Sequence, residues 1–289
     1  MTSRQLDGNF LLRPFPRVYW CRDQEMTDAD WIVGAGLSMP ARAQLSHVSR
    51  FQVLGLDVGE VFPIHFTISG DLHLAVDDIF LHRTEVLPPL DDTGVTPAAA
   101  FIQHCATATL LDAIRIGDWL LHRRHMTSLE VAELATRDDW RPGARQALIV
   151  LPHLDAGARS VKESEVRARI VFAGLPRPEP NVPLVVDGDQ IGIVDLLIRC
   201  VMLALEYEGR QHAETIRQFN RDIERYAAFR RQSVEYLQVT QEMLSLPKVM
   251  VLRVDTRMRE LGYEGPAPVF GAHWASLDAP IPPRPRGWR

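Results

Sequence analysis

The stretch IGIVDLLIRCVMLALEYE, residues 191–208, decides how this chain is read. Its apolar run from Ile191 to Leu205 is interrupted by Asp195 and Arg199 and is shorter than the roughly 20 residues of a membrane-spanning helix. The pattern predicts two strands, 191–198 and 202–208. On the first, Asp195 shares a face with Ile191, Ile193 and Leu197, so a carboxylate sits where an apolar side chain would normally meet the core. On the second, Glu206 and Glu208 share one face and Tyr207 takes the other. If the strands are antiparallel neighbours, the three acids converge and repel unless they are protonated or bridged by a cation. Oxygen-only ligation favours Mg²⁺ or Mn²⁺ over zinc. The spacing is equally compatible with a solvated strand end carrying Glu206 and Glu208, and with Asp195 paired to an arginine.

Around these strands the pattern predicts an αβββαβ order: helix 160–173, strand 181–187, the turn DGDQ, the two strands above, helix 213–232 and strand 248–254. Ser160 and Glu163 have capping-box spacing at the start of the first helix, and Glu163 and Arg167, four apart, can face each other. In the second helix Arg217, Arg221 and Arg225 recur on one stripe, preceded by Arg210 and His212. Such a stripe is either a phosphate-binding face or simply solvated, and Asp222 and Glu224 partly neutralise it.

Upstream, an acidic segment from Asp23 to Asp30 can cap a helix start, and a helix is predicted around 40–54. The apolar runs VFPIHFTI and LHLAVDDIFLHR read as pairing strands on either side of the Ser69-Gly70-Asp71 turn. Helices are predicted over 97–121 and 128–136, the latter capped by Ser128, then a turn at 140–143 and a short helix over 144–154. Asp155-Ala156-Gly157 is the expected boundary, giving an α+β domain over 1–155, a second domain over 156–265 and a Pro-rich arm over 266–289.

The 289 residues, 46% hydrophobic and 24% charged, exclude wholesale disorder. The amino terminus lacks the apolar centre of a signal peptide, and Cys21, Cys105 and Cys200 fit neither a disulfide framework nor a CxxC zinc site. A cytoplasmic protein with no membrane span is expected. Residues 1–150 carry 13 Arg and no Lys against 19 acids, net −6, while 151–289 carry 19 basic residues against 18 acids, net +1. Nucleic-acid binding must therefore rest on a local basic face. His47, His65, His73, His82 and His104 show no HxH or HxxxH spacing and read as structural. No GxGxxG, Walker-type loop or GxSxG is present, so nucleotide and serine-hydrolase chemistries have no support.

Several segments together carry a resemblance: S-x-x-E-S-x-x-R at 160–167, GLPRPEPNVPL at 174–184, IGIVDLLI at 191–198, EYEGRQH at 206–212, RDIERYAAF at 221–229 and VLRV at 251–254. In order and spacing, this third of the chain resembles an actinobacterial domain-of-unknown-function family that shares the fold of the very-short-patch-repair endonuclease, within the PD-(D/E)XK superfamily. The resemblance implies a nuclease core in which Asp195 and Glu206 bind Mg²⁺ or Mn²⁺ and Glu163 contributes from the first helix. The family's usual lysine position holds Glu208, so His212, Arg225 or Glu208 itself must assist the water, or cleavage is weak or absent. Arg199-Cys200-Val201 and Val234-Glu235 are further departures that leave the implied ligands untouched. RPFPRVYW, LSHVSRFQVLGLD and TPAAAFIQHCATATLLDAI resemble the portion of AbiEi-type antitoxin regulators that follows their winged helix. Fewer than twenty residues precede Val18, so the winged helix itself is expected to be missing.

The leading expectation is a metal-dependent endonuclease acting on DNA, with Glu163, Asp195, Glu206, Glu208 and His212 in the catalytic centre. Arg167, Arg210, Arg217, Arg221 and Arg225 are then expected on the DNA. The alternative is a non-catalytic DNA-binding or antitoxin-like regulator that keeps the nuclease fold. A third reading is an interaction module whose partner is a second copy of the chain or the product of a neighbouring gene.

Overall fold

The computed structural model describes residues 10–57, 59–186, 189–208 and 234–283, with the backbone alone at 186, 189–191 and 208. Helices and several small sheets alternate, making the chain α+β. It divides into two compact units, Met1–Ala106 with Met126–Leu148 and Thr107–His125 with Ile149–Arg289. The expected single boundary at 155 is thus replaced by an interleaved division. Among the described residues no helix is long and apolar enough to cross a membrane.

The first unit begins with the hairpin β1 (Leu11–Phe15) and β2 (Val18–Cys21). Helix α1 (Asp28–Ser38) follows, its start fixed by a reciprocal capping box: the Asp30 N–H donates to Thr27 Oγ1 and the Thr27 N–H to Asp30 Oδ2. Phe15, Val18, Ile32, Ala35, Leu45, Ile64 and Phe66 close a core over this region. The helix expected over 40–54 is shorter, because β3 (Gln44–Leu45) pairs antiparallel with β4 (Ile64–Ser69) and leaves only α2 (His47–Val53). Strand β5 (Ile79–Thr84) pairs with β4 in parallel register.

After the small hairpin β6 (Leu90–Asp91) and β7 (Gly94–Val95) comes α3 (Pro97–Cys105). The expected helix 97–121 is broken here, since Thr109 caps a new helix, α4 (Leu110–His122), by accepting the Asp112 N–H. Helix α4 belongs to the second unit. The chain returns to the first unit in α5 (Ser128–Arg137), whose cap is Thr127 rather than Ser128, with Glu130 completing a capping box. At Gly143, φ is +90° and a Cβ would lie 1.7 Å from the Ile102 carbonyl oxygen, so only glycine fits that turn before α6 (Ala144–Val150).

The second unit is built on α7 (Val161–Phe172) and a four-stranded sheet of β8 (Glu179–Val186), β9 (Asp189–Ile198), β10 (Leu203–Glu208) and β11 (Glu235–Thr240). The order is β11-β10-β9-β8, with β8, β9 and β10 antiparallel and β11 parallel to β10. The expected helix 213–232 lies outside the described residues.

The expected strand 248–254 is a correction. Residues 235–240 supply the fourth strand, and after α8 (Gln241–Ser245) the VLRV segment lies inside α9 (Pro247–Glu260). Pro247 occupies the first turn, and Met250, Val251, Val254 and Met258 fall on one helical stripe. These four side chains, with Val166 and Ile170 of α7, cover the sheet face that carries Leu196, Leu203 and Leu205.

The segment after 266 is not a loose arm as far as residue 283. Helix α10 (Ala272–Ala275) and the turn after it bury Trp274, Leu277 and Ile281. Arg169 holds Asp278 through two hydrogen bonds of 2.6 and 2.7 Å, and Pro280 bridges to Thr109.

Candidate functional site

Asp195 and Glu206 come together as the antiparallel pairing requires. Leu205 pairs with Leu196 at the end of the ladder, and Glu206 and Asp195 are the next residue on each strand. Alternation along β10 puts Glu206 on the face of Ala204, opposite the face that α7 and α9 cover. Each carboxylate takes an N–H from the other strand: the Tyr207 N–H donates to Asp195 Oδ2 at 3.0 Å, and the Asp195 N–H to Glu206 Oε1 at 3.3 Å. Glu206 is buried and Asp195 half-buried.

The donor chemistry fits Mg²⁺ or Mn²⁺. Mg²⁺ is usually held by one or two carboxylates, its remaining positions filled by water and substrate phosphate. Asp195 and Glu206 supply that number of hard oxygen ligands from two adjacent strands.

Glu163 lies on α7, and its carboxylate is engaged by the Arg159 N–H at 3.0 Å and by Asn181 Nδ2 at 2.6 Å, Asn181 being the β8 residue between the pairs Pro180–Leu196 and Val182–Val194 that flank Asp195. Its own N–H donates to Ser160 Oγ, so the helix-start role is present. Among the described residues, Glu163, Asp195 and Glu206 do not gather into one ligand trio.

Arg167 is the clearest correction. It is 1% exposed and does not lie on a DNA-facing surface. Instead of meeting Glu163, its Nη2 donates to Asp118 Oδ2 at 2.6 Å and to the His153 carbonyl at 2.9 Å. The Asp155 N–H occupies Asp118 Oδ1 at 2.7 Å. Burial pushes the Asp118 carboxyl up despite the opposing pull of the guanidinium. Arg210, His212, Arg217, Arg221 and Arg225 lie outside the described residues, as does the Glu208 side chain.

The first unit contains a cluster that spacing alone did not reveal. His47, His65 and His82 each place one ligand atom within 4.8 Å of the other two. His65 Nδ1 and His82 Nε2 are 2.9 Å apart, and the His47 ring stacks on His82 with centroids 3.7 Å apart. Seventeen residues separate His65 from His82, so no local motif announces the cluster. Only the parallel pairing of β4 and β5 would have found it.

A scan of protein-family models and searches of curated proteins and of solved structures each found no match.

Proposed function

We propose that the second unit is a metal-dependent phosphodiesterase acting on DNA. The observation that carries this reading is the neighbouring pair Asp195 and Glu206, two acids on adjacent strands, each held by a backbone N–H of the partner strand. Bound Mg²⁺ or Mn²⁺ would polarise a phosphoryl oxygen and lower the pKa of a water. The chain's own contribution is to hold the two carboxylates in fixed orientation before any ion arrives. Because both hydrogen bonds come from the sheet backbone, ligand placement follows strand register rather than side-chain freedom.

The test is cleavage of plasmid and mismatched DNA with Mg²⁺ or Mn²⁺. Glu206→Gln is expected to lower the rate at least about a hundredfold, the scale of losing one electrostatic group at a transition state. Equal cleavage by both proteins, or none by either, removes the catalytic reading.

A second reading, a DNA-binding regulator that keeps the fold without cleavage, draws on the engagement of Glu163 by Arg159 and Asn181. Glu208 at the family's usual lysine position points the same way. A gel shift that weakens with salt, needs no divalent metal and is accompanied by no cleavage favours it.

A further inference from the structure

Three imidazoles reach one point in the first unit from three separate elements. His47 opens α2 with φ at +52°, a left-handed conformation in which histidine is enriched among non-glycine residues. His65 lies on β4 and His82 on β5, where the register pairs His65 with Phe80 and Thr67 with His82. Alternation then sets the two histidines diagonally on one face. A hydrogen bond between His65 and His82 accounts for two of the rings. It gives no reason for the third, which stacks on His82 while Ser46 Oγ, 2.9 Å from His47 Nδ1, fixes its orientation. The backbone around the cluster is tied down as well: the Ser46 N–H donates to the His65 carbonyl, the His65 N–H to Ser49 Oγ, and Thr67 Oγ1 to Ser46 Oγ.

We propose that His47, His65 and His82 form a binding site for a divalent first-row transition metal of the zinc type, with a fourth position open to solvent. All three donors are imidazole nitrogens, which suit zinc, copper, nickel and iron and not the hard cations that Asp195 and Glu206 would take. Three protein ligands rather than four is the pattern of a zinc site that keeps a place for water or a small anion. All three residues are half-buried, so an ion can reach them. A hollow of about 680 Å³ lined by Phe80, His82, Arg83 and Asp71 opens beside the cluster. Zinc–nitrogen bonds of about 2.0–2.1 Å in tetrahedral geometry put ligand nitrogens about 3.3 Å apart. Binding would open the 2.9 Å contact between His65 and His82 by a few tenths of an ångström and turn the His47 ring off the face of His82, so that all three rings aim an in-plane nitrogen at the ion.

The protonation state agrees with this geometry. Burial, then the nearby rings of His82, His65 and His104, bring His47 down to about 2; burial and His65 bring His82 down to about 4; and burial lowers His65. Protons compete little with a metal for neutral imidazoles.

The test uses the full chain, stripped by a chelator and titrated with ZnCl₂ by calorimetry, with Co²⁺ as an optical probe. One Zn²⁺ per chain is expected, bound with unchanged affinity in Glu206→Gln. His82→Gln should weaken it by more than about a hundredfold, and Ser46→Ala by about tenfold, as for loss of a group that orients a metal-bound histidine. Co²⁺ should develop the intense visible absorption of a four-coordinate nitrogen site. X-ray absorption of the zinc-loaded parent protein should report three imidazoles, a readout independent of whether any variant folds. The proposal is overturned if the parent binds no zinc, if its zinc shell is oxygen alone, or if folded His82→Gln binds zinc as tightly as the parent.

Discussion

Arg167 and Asp118 form a charge pair with essentially no access to water, their side chains 2% and 0% exposed. Such a pair adds little net stability over an apolar substitute, but removing one member strands the other. Arg167→Ala is therefore expected to destabilise the second unit by about 3–5 kcal/mol, measured by denaturant unfolding. The S-x-x-E-S-x-x-R spacing was legible as a pattern, yet it could not reveal that the arginine's partner lies 49 residues upstream. Arg50, 3% exposed, repeats the theme in the first unit, donating to Asp91 and to the Val95 carbonyl. Burial pushes the Asp91 carboxyl up, but the Thr93 and Gly94 N–H groups and the Arg50 guanidinium outweigh it, so it sits below the usual carboxylate range. The unfolded chain thus binds the Asp91 proton more readily than the folded one. The stability this group supplies is present above about pH 4 and lost as pH falls through its folded value. Asp91→Asn should unfold with a flatter acid dependence below pH 4 and cost about 1–2 kcal/mol at neutral pH.

At the level of elements, the antiparallel strands β9 and β10 were readable because their apolar residues alternate with the acids at a period of two. The failure at 248–254 has a definite cause. A short apolar run fits a buried strand and a buried helix alike, and the exposed Leu252 and Val249 that reveal a helical stripe are apolar too. The two readings differ in consequence, since a strand would put Leu252 on the face of Met250. Met250→Ala and Met258→Ala are expected to cost about 2–5 kcal/mol each, and Leu252→Ala no more than about 0.5 kcal/mol, by thermal or denaturant melts. Gly143→Ala, which drives a methyl group into the Ile102 carbonyl, should cost about 2 kcal/mol or more. The Asp195 and Glu206 pairing followed from strand order; the hydrogen bond from Asn181 to the Glu163 carboxylate did not, because helix spacing says nothing about which strand residues the helix meets.

For the molecule as a whole, the interleaving of the two units is the feature least visible in the sequence. Turn signals at 155–157 mark a loop correctly, but a loop is not a boundary when an earlier helix packs beyond it. Residues 156–289 alone lack α4, and with it Asp118 and the pairing partner of Pro280. That fragment is expected to show no cooperative unfolding transition by circular dichroism, whereas the full chain does.

The bridge between Thr109 and Pro280 also imposes an order in time. During synthesis the strands and helices of the second unit emerge from the ribosome well before the segment that seals them, so α4 must wait for its last neighbour. A nascent chain halted ahead of Trp274 would expose the apolar floor that Trp274, Leu277 and Ile281 normally roof, which makes it a ready target for chaperones and proteases.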